Sequence, residues 1–195
     1  MNNIYQSTIT KEEIAELPLI KFDGEIIVVD NKKKLDAIIP DLKKEKLFGF
    51  DTETRPAFKK GTTNKVALLQ LSSNEKSYLI RLNKIGLPNS LKEILCDEKI
   101  FKIGIAIRDD IKILKRLNNF EANSFIGLQK YVKQFDIENN GMKKLAGIVL
   151  KSRISKAQQL SNWENETLTP AQQSYAATDA WICYKIYEEL NNKLS

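Results

Sequence analysis

Short apolar runs alternate with polar, breaker-rich stretches through the first two thirds of the chain. The run EIIVVD (25–30) predicts a strand, and the lysine-rich segment that follows to about Lys44, interrupted by Pro40, predicts a helix. LFGFDTE (47–53) predicts a buried strand, and RPAFKKGTTN (55–64) a polar, basic loop broken by Pro56 and Gly61. KVALLQLSS (65–73) and SYLIRL (77–82) predict two strands joined by a turn around Asn74. NSLKEILCD (89–97) predicts a short helix capped by Asn89 or Ser90. IFKIGIAI (100–107) predicts an interior strand that passes into RDDIKILKRL (108–117), whose apolar spacing is helical. SFIGLQ (124–129) predicts a short strand, and the chain from Lys130 onward a mostly helical region. Thr169-Pro170-Ala171-Gln172 joins an N-cap threonine, a proline at the first helical position and a glutamine at the capping-box position, so a last helix is expected from there to Leu190. Strands first, then strands alternating with helices, define an α/β class with a mixed sheet. Residues 1–24 carry no motif and are expected to form an N-terminal arm on a domain spanning 25–195.

The same periodicities place carboxylates where apolar residues belong. On a strand, successive side chains point to opposite faces, so Asp51 and Glu53 share one face while Phe48, Phe50 and Thr52 share the other. In the last helix Tyr175 and Asp179 are four residues apart on a stripe that Ile182 and Ile186 continue, which turns Asp179 inward. Standing alone, Asp179 reads equally well as a buried aspartate satisfied by hydrogen bonds or an arginine, and Tyr175 as a core tyrosine. In 108–117 the stripe is Ile107, Ile111, Leu114 and Leu117. Asp110 lines up with Leu114 and Leu117. Asp109 falls about a third of a turn off, toward Lys112 and Arg116, at a helix start that favours a carboxylate anyway. Three separate segments therefore aim Asp51 with Glu53, Asp110 and Asp179 at an apolar layer. If they converge, each close pair costs roughly 4 kcal/mol at ~4 Å and an effective dielectric of ~20. Two divalent cations would balance four carboxylates, and an all-oxygen donor set selects Mg²⁺ or Mn²⁺. Such a pair is the clamp used in phosphodiester cleavage. A phenol with an ordinary pKa near 10 is a poor base at neutral pH, so Tyr175 beside it is better suited to holding the attacking water by a hydrogen bond.

Composition narrows the chemistry further. The chain has no histidine, which excludes a Ser-His-Asp triad, an HExxH zinc site and any histidine general base. Its two cysteines, Cys96 and Cys183, form no metal-ligand spacing and no disulfide framework, and read as buried thiols in a reducing compartment. A net charge of +6 suits a polyanionic partner. There is no basic start followed by an apolar run at the N-terminus, and no apolar stretch near the ~20 residues a membrane span needs, so no membrane association and a cytoplasmic location are expected.

DTE (51–53), the aspartate opening the helix after IGIAI, and YxxxD (175–179) resemble, in order, the motifs of the DEDD superfamily of 3′–5′ exonucleases. The match is to its tyrosine branch, which includes ribonuclease D, the Werner-type exonuclease domains and polymerase proofreading domains. VALLQLSS, IGIAIRDDIKIL and LSNWENETLTPAQQSYAATDAWICYKIYEEL are most similar to the Werner-type and ribonuclease D group, and the resemblance covers roughly residues 25 to 192. It implies a ribonuclease H-like fold and stepwise release of nucleoside 5′-monophosphates from the 3′ end of DNA or RNA. Asp51, Glu53, Asp110 and Asp179 would hold two divalent cations, Mg²⁺ or Mn²⁺, and Tyr175 would position the water. The branch that uses histidine in place of this tyrosine is excluded. One departure is Thr54, where Werner-type domains carry tryptophan, which removes aromatic stacking on the terminal base from that position.

Substrate contacts are expected from Thr52, Arg55, Lys59, Lys60 and Lys156. Lys156 belongs to a second basic group with Lys143, Lys144, Lys151 and Arg153. Together these would grip phosphates without sequence preference; an ordinary solvated surface is the plainer reading. Phe58 reads as a base wedge or a lid on the local core, Trp163 as packing beneath the last helix, and Gly104 as a packing glycine in a crowded strand. Two other functions fit the same residues: a catalytically silent nucleic-acid-binding or scaffold domain, and an RNA-trimming rather than a DNA exonuclease.

Overall fold

The computed structural model describes residues 4–56 and 65–194. Its strands are β1 (Glu25–Val29), β2 (Leu47–Thr54), β3 (Val66–Ser72), β4 (Lys76–Ile80), β5 (Phe101–Gly104) and β6 (Phe125–Gly127). Among the described residues they form one sheet in the order β1-β4-β3-β2-β5-β6. β2 pairs antiparallel with β3 and parallel with β5, β3 pairs antiparallel with β4, and the outer pairs β1–β4 and β5–β6 are parallel. The helices are α1 (Lys11–Ala15), α2 (Lys32–Leu42), α3 (Leu82–Ile85), α4 (Asn89–Cys96), α5 (Ile107–Lys115), α6 (Leu128–Tyr131), α7 (Met142–Leu150) and α8 (Pro170–Asn192). This is the mixed α/β sheet flanked by helices that the apolar pattern implies.

Strand alternation divides the interior into two cores. Phe48 and Phe50 of β2 pack with Leu35, Ile38 and Leu42 of α2, Leu91 and Leu95 of α4, and Leu114 of α5. On the other face, Leu68 and Ile103 pack with Leu145 and Ile148 of α7 and with Ala176, Ala177, Ile182 and Ile186 of α8. Asp51 and Glu53 therefore face α8, while the α5 helix that carries Asp110 covers the opposite side.

α8 crosses β2 in direct contact at Gly49, where an added Cβ would lie 1.8 Å from the Ala180 carbonyl oxygen and 2.9 Å from the Tyr184 nitrogen. Backbone, unlike the tip of a flexible side chain, cannot step aside. Gly49→Ala is expected to cost about 3 kcal/mol or more, read as a lower urea midpoint with the slope unchanged. It should also lower activity, because the same crossing sets Asp51 against Asp179.

The details that differ from the sequence reading have local causes. α2 runs through Pro40, whose missing N–H falls in the last turn opposite the exposed Asp36. The α4 N-cap is Pro88, and neither Asn89 nor Ser90 caps it. β5 stops at Gly104, where a Cβ would meet the Phe50 carbonyl oxygen at 2.7 Å. Ala106 then takes a left-handed backbone (φ 56°) that starts α5. From Lys130 onward the chain is mostly helical, as read, but with a long break: α7 ends at a left-handed Lys151 (φ 50°), and residues 151–169 are mostly turns and irregular backbone.

That irregular stretch is pinned from a distance. The buried Arg81 guanidinium donates to the Asn165 and Glu166 carbonyl oxygens, and Gln172 Nε2 donates to the Asn162 carbonyl oxygen. The segment before β1 packs on the α7–α8 side, with Tyr5, Ile9 and Phe22 buried and a Thr10–Glu13 capping box opening α1. Arg153 latches it. The Arg153 Nε donates to the Leu17 carbonyl oxygen at 2.9 Å, and backbone bonds join Arg153 to Pro18 and Ile20.

Candidate active site

β2, α8 and the 151–169 segment meet in an open cleft of about 560 Å³ lined by Asp51, Thr52, Glu53, Lys156, Tyr175 and Asp179, with Lys143 and Lys144 from the first turn of α7 on its rim. One carboxylate oxygen each from Asp51, Glu53 and Asp179 lie within 4.8 Å of one another. Three acids this close in a partly buried site cannot all remain ionised without a cation. Burial first, and then the charges of Asp179 and Asp110, raise Asp51 well above the usual carboxylate range. Glu53 is pushed up to about 9 by burial and by its neighbours Asp51 and Asp179. Burial raises Asp179 as well, opposed by the Lys156 ammonium and by hydrogen bonding from Tyr175.

Asp110 stands apart from this trio. It is half-buried, and it accepts a hydrogen bond from the Thr52 hydroxyl. Burial lifts it to about 6, and the Thr52 bond opposes the rise. Four carboxylates in one knot was the sequence expectation; the structure gathers three within 4.8 Å, while Asp110, from the helix on the far face of the sheet, bonds Thr52 and acts on Asp51 and Glu53 through its charge. Asp109 is exposed. Asp110→Ala is expected to reduce kcat about 10- to 100-fold, the range for groups that orient or support a metal site. Asp109→Ala should stay within about twofold. Side-by-side kinetics on a 3′-labelled oligonucleotide check both.

Tyr175 is 7 % exposed and its ring lies 5.9 Å from that of the fully buried Trp163. Burial, followed by the charges of Asp179 and Glu53, pushes the phenol far above its ordinary value. The hydroxyl thus keeps its proton at any physiological pH and is a hydrogen-bonding group, not a base. Cys183 sits one turn beyond Asp179 on α8, its thiol pushed up by burial and by the acidic site, which rules out a thiolate there.

The candidate substrate residues separate. Thr52 bonds Asp110. Arg55 pairs with Glu164 at 3.4 Å across the cleft's edge. Lys156 turns inward to Asp179 and Tyr175. Arg153 serves the N-terminal segment. Lys59, Lys60 and Phe58 lie outside the described residues. Gln70 was missed by sequence reasoning. It stands directly across from Asp51 in β3 and is fully buried, and neither atom of its amide has a partner among the described residues. A glutamine within the apolar run VALLQLSS was the available signal.

A 3′–5′ exonuclease family model matches residues 26–195. The chain is 33 % identical over 183 residues to the 3′–5′ exonuclease R431 of Acanthamoeba polyphaga mimivirus, covering 84 % of this chain and 43 % of that protein. It is 31 % identical over 192 residues to the bifunctional 3′–5′ exonuclease/ATP-dependent helicase WRN of Mus musculus, covering 90 % of this chain and 13 % of WRN. The chain thus spans less than half the length of either relative. Among solved structures, the Nibbler EXO domain of Aedes aegypti superposes with a TM-score of 0.80 at 25 % identity, covering 90 % of this chain and 92 % of that one. The fold is ribonuclease H-like, of the DEDD exonuclease kind. The chain belongs to the 3′–5′ exonuclease family.

Exonucleases of this family use divalent metal ions, and the residues here fit that use. The clustered donors are all carboxylates, and Asp179 Oδ1 is buried with no partner among the described residues. No described helix is long and apolar enough to cross a membrane.

Proposed function

We propose that this chain removes nucleotides one at a time from the 3′ end of a single nucleic-acid strand, releasing nucleoside 5′-monophosphates. The observation that carries the proposal is the convergence of Asp51, Glu53 and Asp179 within 4.8 Å in an open cleft. In this reading those three, with Asp110 from the side, hold two Mg²⁺ or Mn²⁺ ions. Bound there, the ions supply an acidified water and neutralise charge on the leaving oxygen. The protein's own groups do the rest. Asp51, on the central strand, fixes the common point of the site. The protonated Tyr175 hydroxyl orients the water by a hydrogen bond and takes no proton from it. Lys143 and Lys144 attract the phosphates of the strand that enters the cleft, which favours any 3′ end over any particular sequence. Thr54 and Arg55 complete the exit of β2, and neither offers an aromatic ring to stack on the terminal base. The catalytically silent alternative is disfavoured, since no acidic group or tyrosine of the motif is missing.

The test is digestion of 3′-labelled single-stranded DNA, recessed duplex DNA and RNA side by side, with Mn²⁺, Mg²⁺ or EDTA. Metal-dependent release of labelled mononucleotide from at least one substrate is expected, and the ranking of the three assigns the substrate. Label retained on all three with both metals contradicts the proposal.

A further inference from the structure

We infer that Lys156 is a positioning residue: its ammonium ties Asp179 and Tyr175 to one point and reserves the second Asp179 oxygen for a cation. The inference rests on the exonuclease reading above and deepens it. Lys156 Nζ lies 3.0 Å from Asp179 Oδ2 and 3.4 Å from the Tyr175 hydroxyl oxygen, with the ring centre at 5.4 Å and Met142 Sδ at 3.9 Å. An ammonium has three N–H donors and no acceptor. A lysine kept for substrate phosphate would extend into solvent. This one is only 22 % exposed and is committed to two groups of the site.

The two Asp179 oxygens consequently have different roles. Oδ2 accepts from Lys156, while Oδ1 is buried and has no partner among the described residues. A buried carboxylate oxygen without a partner is costly unless a cation comes to it. Asp179 contributes one carboxylate oxygen to the cluster with Asp51 and Glu53, so a cation drawn to the free oxygen would sit among these three acids. At Tyr175, accepting from Lys156 occupies a lone pair of the phenol oxygen and restricts the direction in which the O–H can point. Tyr175 and Asp179 are one helical turn apart on α8, but Lys156 comes from the irregular segment after α7. That segment is anchored independently, by Arg81 to residues 165 and 166 and by the buried Trp163. The α8 pair is thus braced by a second element, which a residue on α8 itself would not achieve. A displacement of about 1 Å in such a constellation is enough to cost about 100-fold in rate.

The test compares wild type with Lys156→Met and Lys156→Arg by Mn²⁺ titration and by steady-state kinetics on a 3′-labelled oligonucleotide. Lys156→Met is expected to bind Mn²⁺ at least as tightly as wild type, since one positive charge beside the site is gone. Its kcat should fall about 10- to 100-fold, with KM changed by less than about twofold. A raised KM with kcat retained would make Lys156 a phosphate contact, unchanged kcat and KM would make it a bystander, and loss of Mn²⁺ binding would make it a structural support of the site; each overturns the inference. Should Lys156→Met fail to fold, Lys156→Arg keeps the charge but moves it. Lower kcat at constant KM then supports positioning, and wild-type kcat contradicts it. Wild-type protein that neither binds Mn²⁺ nor releases label overturns the exonuclease reading and this inference with it. Wild-type protein that does both leaves the variants to decide the inference alone.

Discussion

Asp51→Asn is expected to lower metal-dependent release of 3′ label by at least about 1000-fold, equivalent to about 4 kcal/mol of transition-state stabilisation. The position explains the size. Asp51 lies on the central strand, within reach of both Glu53 and Asp179, and Asp110 adds its charge from the other side. Glu53 feels the charges of the other three acids as well, so the two carboxylates of β2 form the electrostatic centre of the site. Asparagine keeps the shape and one acceptor oxygen, so the fold should survive. Thermal stability in EDTA should rise or hold, because an acid that is costly to ionise in this site has been replaced by a neutral group of the same shape. Loss of activity without loss of stability distinguishes a chemical role from a structural one. Retention of more than a tenth of wild-type activity would remove Asp51 from the chemistry.

The second large effect is that of pH on metal affinity. Metal binding needs deprotonated carboxylates, and Glu53 is held up to about 9, with Asp51 also well above its ordinary value. At neutral pH the metal-free site therefore retains protons that an arriving ion must expel. Affinity for Mn²⁺ should rise with pH by at least about one log unit per pH unit below about 9, or roughly 100-fold from pH 6 to pH 8. Calorimetry in buffers of different ionisation enthalpy should count at least one proton released per site. The metal-free protein runs the other way. Between the ordinary glutamate range and about 9 the folded state holds more protons than the unfolded one, so stability falls as pH rises through that window. Saturating Mn²⁺ should abolish the fall. A metal affinity independent of pH between 6 and 8 would contradict the protonated site.

Local signals were legible where one segment carries its own constraint. The capping box at Thr169–Gln172 forms as read and opens α8, and helical spacing was enough to turn Asp110 toward the sheet and leave Asp109 exposed. What periodicity does not carry is which face of the sheet a helix covers. Hence Asp110 was expected in one knot with the other acids, yet it rides on the far-side helix and bonds Thr52. Long-range partners were equally invisible. Lys156 and Arg153 are three residues apart in one basic stretch, but one reaches Asp179 and the other holds the segment around Leu17. Nothing in local composition separates them. The burial of Tyr5, Ile9 and Phe22 has the same origin, since the α7 and α8 surfaces that cover them lie more than a hundred residues away in sequence.

The most direct measurement of the central claim is a crystal soaked in Mn²⁺ with a nucleoside monophosphate, examined by anomalous scattering. Manganese bonded to carboxylate oxygens of Asp51, Glu53 and Asp179, with Lys156 still on Asp179 Oδ2, is the expected result. A bound nucleotide with no metal in the cleft, or these three side chains turned away from one another, would contradict it.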